Sequence, residues 1–241
     1  MTGGRSITMK ITEAIILAGG LGTRLKSEVP DLPKCMAPVA GKPFLDHVIQ
    51  YYLGQGIQRF IFSLGHLRQV IEDFLHRHYG GLQYTVVTED SPLGTGGAIK
   101  NAMADARSPY PLILNGDTLF EVSLEEMERH VASLLPECAL CLKPMQQFDR
   151  YGAVEMDSGL VIHSFREKRF YESGLINGGV YALDRKRFTA RNLPDIFSFE
   201  KDYLEHFCRE GSFTGLVQDR YFIDIGIPED YKRAQQELKG T

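Results

Sequence analysis

The sequence predicts an α/β fold, a mixed and mostly parallel sheet flanked by helices. Two observations predict it. Strand-like apolar runs alternate with helix-like runs through the first two-thirds of the chain, and a βαβα rhythm buries a parallel sheet under helices on both faces. After residue 139 the rhythm changes to several strands with few helices between them, so some strands must pair antiparallel.

Taken in order, residues 12–17 read as a strand, 44–55 as an amphipathic helix and 59–64 as a strand. Residues 69–79 read as a helix, 82–88 as a strand, 95–107 as a helix and 110–115 as a strand. The second half adds strands at 139–143, 153–156, 161–167, 176–183, 213–217 and 221–225, and a closing helix at 229–238. With 241 residues and 43% hydrophobic content, the chain suits one domain over residues 9–241. Within it, a strand–helix half is expected over 9–120 and a strand-rich half over 139–228. Residues 1–8 are polar and read as a flexible leader without a signal core.

The net charge of -4 and the absence of a long basic stripe argue against a nucleic-acid partner. No apolar run approaches the roughly 20 residues that span a bilayer, so a cytoplasmic protein with no membrane partner is expected. Of four cysteines, Cys138 and Cys141 form a C-x-x-C. They lie in a strand-like run with no matching second pair of ligands, and read as buried thiols.

The first strand runs into Leu17-Ala18-Gly19-Gly20-Leu21-Gly22-Thr23-Arg24. Glycines at a strand's C-terminal end let backbone N–H groups approach phosphate oxygens, at the place where open α/β sheets bind ligands. Gly22 is followed by Thr23-Arg24, so this is not a Walker loop, and Arg24 or Leu25 stands where a dinucleotide fingerprint needs a small residue. Arg24 can fork onto two phosphate oxygens, and Lys34 follows ten positions later. Two cations beside a phosphate cradle suit a triphosphate.

A second glycine cluster is Glu89-Asp90-Ser91-Pro92-Leu93-Gly94-Thr95-Gly96-Gly97. Its turn and glycines would admit a flat ring. Guanine presents two adjacent donors, which an ionised carboxylate accepts, whereas uracil and thymine would turn carbonyl oxygens towards it. Glu89 is the first candidate and Asp90 the second.

Two aspartates complete the pattern. Asp117 follows a strand and Gly116, which points its carboxylate into the ligand crevice. Asp224 stands between isoleucines, where an unpaired carboxylate is costly. Mg²⁺ prefers oxygen ligands and commonly takes only one or two protein carboxylates, so Asp117 and Asp224 are the candidate metal ligands.

Leu17 to Leu25, Pro33-Lys34 and Gly41-Lys42-Pro43 together resemble the signature of the sugar-1-phosphate nucleotidyltransferase family. The resemblance implies a Rossmann-like sheet of the nucleotide-diphospho-sugar transferase type. It implies that Leu17, Gly19, Gly20, Gly22, Thr23, Gly94, Thr95 and Gly116 contact the nucleotide, and that Arg24, Lys34 and Asp117 act at the phosphates. It also assigns Gly152, Glu167 and Asn177 to the sugar and Lys168 to the acceptor phosphate. Residues 197–202 resemble family members too, and read as mostly structural. Within the family, the chain looks most similar to bacterial enzymes forming GDP-D-glycero-α-D-manno-heptose. Mannose-1-phosphate guanylyltransferases and N-acetylmuramate-1-phosphate uridylyltransferases stand nearby. The implied partners are GTP or another NTP and a sugar 1-phosphate, with Mg²⁺ as cofactor and a homodimer left open. Two other classes remain: a metal-dependent glycosyltransferase and a non-catalytic nucleotide-sugar sensor.

Overall fold

The structure, a computed structural model, describes residues 9–20, 25 and 28–239. Among them, seven strands form the central sheet. From β1 (Glu13–Leu17) the chain crosses α1 (Phe44–Gln55) to β4 (Arg59–Leu64), after a small ribbon of β2 (Pro38–Val39) and β3 (Lys42–Pro43). It continues through α2 (Arg68–His78), β5 (Gln83–Thr88), α3 (Gly94–Met103) and β6 (Leu112–Asn115). The remainder is β7 (Thr118–Phe120), α4 (Leu124–Leu134), β8 (Cys138–Phe148), β9 (Val154–Met156), β10 (Ile162–Phe165), β11 (Tyr171–Leu183) and α5 (Arg185–Ala190). A π-helical turn (Phe199–Leu204), α6 (Glu205–Phe207), β12 (Phe213–Val217), β13 (Phe222–Asp224) and α7 (Pro228–Glu237) close it.

The sheet order is β12-β8-β11-β6-β1-β4-β5. Strands β6, β1, β4 and β5 run parallel, as does the β12–β8 pair, and only β11 opposes its two neighbours. The expected mixed, mostly parallel sheet is therefore present. Side chains alternate across it with a period of two. Ala14, Ile16, Phe60, Phe62, Leu112, Leu114, Ala139 and Cys141 enter the layer under α1, α2, α4 and α7. Ile15, Ile61, Ile113, Cys138, Leu140 and Tyr181 enter the layer under α3, α5 and the π turn. Each fully buried Ile or Phe contributes about 1.5–3 kcal/mol, so both faces of the sheet hold the helices in place. The C-x-x-C cysteines point to opposite layers, and all four cysteines are buried free thiols.

Helix α3, strands β8 and β11, and helix α4 differ from the sequence expectation for physical reasons. Helix α3 stops at Met103 rather than 107 because the buried Glu13 carboxylate accepts the backbone N–H of Arg107 (2.7 Å) and Ser108 (2.9 Å). Strands β8 and β11 run on to Phe148 and back to Tyr171, beyond the predicted 143 and 176. Their paired extension ends in a Phe148–Tyr171 stack at 5.3 Å. Helix α4 was not read from the sequence; Ser123 caps it, accepting from Glu126 N at 3.3 Å.

Candidate functional site

The C-terminal ends of β1, β4, β5 and β6 open onto one cavity of about 690 Å³. Leu17 to Gly20, Ser63, Gly65, His66, Glu89 to Pro92, Asn115 and Asp117 line it. This is the crevice at which parallel α/β sheets receive ligands.

Lys34, Asp117 and Asp224 meet at its edge. Lys34 opens a 3₁₀ turn whose next residues, Cys35 and Met36, are buried. Asp117 follows β6, and β13 pairs antiparallel with β7 so that Asp224 stands opposite Thr118. The Ile225 N–H donates to the Asp117 carbonyl at 3.1 Å, locking the two segments together. The Lys34 ammonium then reaches both carboxylates, at 2.5 Å to Asp117 and 3.4 Å to Asp224. Its side chain is only 12% exposed, which makes the charge balance matter. Burial first, and then the Asp117 carboxylate, raise the Asp224 carboxyl above its ordinary range, while Lys34 opposes that shift. The Gly226 N–H donates to Asp224 Oδ1 at 2.7 Å. Two hard oxygen donors that crowd each other and already draw in a cation fit a divalent metal. Burial, together with Asp117, pushes the neighbouring Cys35 thiol up to about 12, so it stays protonated.

Of the predicted nucleotide contacts, Leu17, Gly19, Gly20, Glu89, Gly94 and Thr95 line the cavity. Gly22, Thr23 and Arg24 lie outside the described residues. Gly116 does not line it. A Cβ there would stand 3.0 Å from the Leu17 carbonyl oxygen, so its smallness lets β6 and β1 end side by side.

The two glycine loops differ physically. Among the described residues nothing lies within 4 Å of a Cβ built on Gly20. Gly94, Gly96 and Gly97 are instead pressed against residues 195–197. A Cβ on Gly97 would stand 2.2 Å from the Asp195 carbonyl oxygen, and one on Gly96 would stand 2.2 Å from the Phe197 ring. The Gly96 N–H donates to the Phe197 carbonyl (3.0 Å), and Thr95 Oγ1 accepts from Phe199 N (3.0 Å). Chain packing therefore accounts for the missing side chains that the sequence reading had attributed to a flat ring. Ser198 does cap the π turn, accepting from Lys201 N at 3.2 Å. The reciprocal acceptor is Asp202, which takes the Ser198 N–H at 2.7 Å.

Glu89 is also in use. Its Oε1 accepts from Ser63 Oγ (3.2 Å) and its Oε2 from Leu93 N (3.1 Å), closing the turn that carries Pro92. A carboxylate has about four acceptor positions, so capacity remains for a ligand.

The predicted acceptor residues do not line this cavity. Gly152, Glu167 and Asn177 form a second group alongside. A Cβ on Gly152 would stand 2.2 Å from the Arg166 carbonyl oxygen, and Ala153 bridges Ile176 next to Asn177. Both ends of the Asn177 amide are engaged, Nδ2 donating to Tyr181 Oη (2.8 Å) and Oδ1 accepting from Gly179 N (3.1 Å). Lys168 is exposed on the segment between β10 and β11. Tyr151 connects this group to the metal-type pair: its ring meets Phe222 at 5.9 Å, and burial and then Asp224 push its hydroxyl up to about 12. Sequence reasoning passed over Tyr151, Asn115, Ser63, Gly65 and His66. The signal for the last three was available, because they end a predicted parallel strand at the same edge as the glycine loop.

Residues 13–240 match the Nucleotidyl transferase family model. A D-glycero-alpha-D-manno-heptose 1-phosphate guanylyltransferase from Aneurinibacillus thermoaerophilus is 47% identical over 228 residues, covering 94% of this chain and 98% of that protein. One of the same description from Campylobacter jejuni is 41% identical, over 91% of this chain and 96% of that one. Crystal structures of HddC from Yersinia pseudotuberculosis, one of them complexed with GMP-PN, superpose with a TM-score of 0.86 at 38% identity. They cover 95% of this chain and all of theirs. Family match, relatives and sheet agree: the chain belongs to the nucleotidyl transferase family and is a nucleotidyltransferase.

Proposed function

We propose that this enzyme transfers GMP from GTP to D-glycero-α-D-manno-heptose 1-phosphate, giving GDP-heptose and pyrophosphate. The observation that carries the chemistry is the convergence of Lys34, Asp117 and Asp224 at one edge of the cavity. The choice of sugar and base is supported by the two relatives described as acting on that heptose phosphate, and by the GMP-PN complex of HddC.

In this reading, residues 9–120 hold mainly the nucleotide and 139–228 mainly the sugar phosphate. An oxygen of the acceptor phosphate attacks the α-phosphorus of GTP in line, and the bond to the bridging oxygen of pyrophosphate breaks. A phosphate monoester has a second pKa near 6 and is largely dianionic at neutral pH, so no general base is needed. The obstacle is repulsion between two polyanions. Arg24 and Lys34 place positive charge on the triphosphate side and Lys168 on the acceptor side, where they align the reactants and offset the charge. Asp117 and Asp224 would hold Mg²⁺, which when bound supplies charge neutralisation at the reacting phosphates. Glu89 keeps acceptor capacity for the N1–H and amino group of guanine. Among the described residues no helix is long and apolar enough to cross a membrane, which suits work in the cytoplasm where GTP is available.

The test is pyrophosphate release over a matrix of nucleoside triphosphates and sugar 1-phosphates. GTP with the heptose phosphate is expected to be fastest. A preference for UTP or dTTP would overturn the base assignment, and a preference for another sugar phosphate the acceptor assignment. Asp117→Ala is expected to lower turnover by at least about 100-fold with its melting transition intact. Wild-type turnover in the folded variant would remove Asp117 from the reaction.

A further inference from the structure

Beyond the main cavity lies a smaller one of about 420 Å³, lined by Gly65, Leu67, Arg68, Gln69, Glu89 and Asp90. The two share Gly65, Glu89 and Asp90 in their linings, so the residues proposed to meet the base face both. The wall opposite those carboxylates is the turn from β4 into α2. That turn is conformationally demanding. Leu67 adopts φ +56°, in the left-handed region that a branched side chain seldom takes, and remains 37% exposed. Exposure of the Leu67 side chain offsets nothing, so the backbone geometry serves its neighbours rather than the core.

Those neighbours differ in what they already do. Gln69 Nε2 donates to Asp73 Oδ1 at 2.9 Å and is engaged along its own helix. Arg68 is exposed and, among the described residues, its guanidinium enters no ion pair or hydrogen bond, although two carboxylates line the same cavity. An arginine left uncommitted at a ligand cavity offers a planar fork of donors.

Guanine has two contiguous edges of opposite character. Its N1–H and amino group are donors suited to a carboxylate, and its O6 and N7 are acceptors suited to a bidentate arginine. We infer that Arg68 is a specificity residue that donates to O6 and N7 of the guanine base, while the Glu89–Asp90 wall accepts from its N1–H and amino group. The inference rests on GTP being the nucleotide. Adenine would turn its amino group towards the guanidinium, and a pyrimidine has no N7, so Arg68 selects against both.

The test compares GTP with 7-deaza-GTP, which lacks the N7 acceptor, in the wild type and in Arg68→Met. The wild type is expected to lose roughly 10-fold in kcat/KM on 7-deaza-GTP, and Arg68→Met roughly 10- to 100-fold on GTP. In Arg68→Met, exchanging GTP for 7-deaza-GTP should change kcat/KM by less than about twofold, because the contact is already gone. Loss on GTP with the N7 deletion still costing the same in both enzymes would overturn the inference and assign Arg68 to the phosphates or to folding. Arg68→Met within about twofold of wild type on GTP would also overturn it. A wild type that prefers UTP to GTP defeats the GTP reading itself, and that is visible before any variant is made.

Discussion

Lys34 is the residue on which the charge balance of the site turns, because one ammonium serves two carboxylates that would otherwise face each other. Lys34→Met should therefore do two things. Turnover should fall by at least about 100-fold, and the folded state should lose about 1–3 kcal/mol in urea unfolding, less than for a fully buried pair because Asp117 is 35% exposed. Added divalent cation should return part of that stability, since it replaces the missing charge. A variant with wild-type turnover and unfolding midpoint would show that the cluster is incidental. Residue identity was legible in the sequence for this cluster, since a carboxylate between isoleucines needs a partner. What each polar group already touches was not legible. Glu89 is held by Ser63 and Leu93, and Asn177 by Tyr181 and Gly179, partners that only the folded chain brings near.

At the scale of elements, the two glycine-rich loops look alike in sequence and differ in cause. Among the described residues nothing comes within 4 Å of a Cβ on Gly20, whereas one on Gly97 would meet the Asp195 carbonyl. Gly97→Ala should cost about 1–3 kcal/mol in thermal or urea unfolding as residues 195–197 are pushed away. Gly20→Ala should leave the melting temperature within about 2 °C of wild type. It should still weaken GTP, because its methyl would enter the space proposed for the nucleotide. Equal destabilisation by both substitutions would remove the distinction. The central strands were legible because each carries apolar side chains at period two into both layers, as in Ala14, Ile15 and Ile16. Element ends fixed by distant groups were not. The end of α3 depends on Glu13, about ninety residues earlier, and the length of β8 depends on its pairing with β11.

At the scale of the whole molecule, two buried histidines set how the fold responds to acid. Burial lowers both His47 and His130 from their ordinary value of 6.5. His47 Nε2 bonds to the Val39 carbonyl oxygen (3.0 Å), and His130 Nε2 bonds to Thr214 Oγ1 (2.8 Å) between α4 and β12. Below the unfolded value the unfolded chain binds protons that the folded one refuses. Stability from these groups is therefore complete above about pH 6.5 and is lost as pH falls towards their folded values. The melting temperature should drop across that window, and His130→Gln should flatten the drop; an unchanged slope would exonerate His130. The division of the chain into a parallel half and a strand-rich half was legible from rhythm alone. That positions 117 and 224 meet was expected from their chemistry, but the β13–β7 pairing that brings them together was not legible, because no local pattern encodes it. That pairing is the centre of the account, and metal binding measures it directly. Titrating Mn²⁺ into enzyme saturated with a non-hydrolysable GTP analogue, followed by electron paramagnetic resonance, should give one tight site in the wild type. That site should be weakened at least about tenfold in Asp117→Asn and in Asp224→Asn alike. Undiminished Mn²⁺ affinity in either folded variant would contradict a shared metal site.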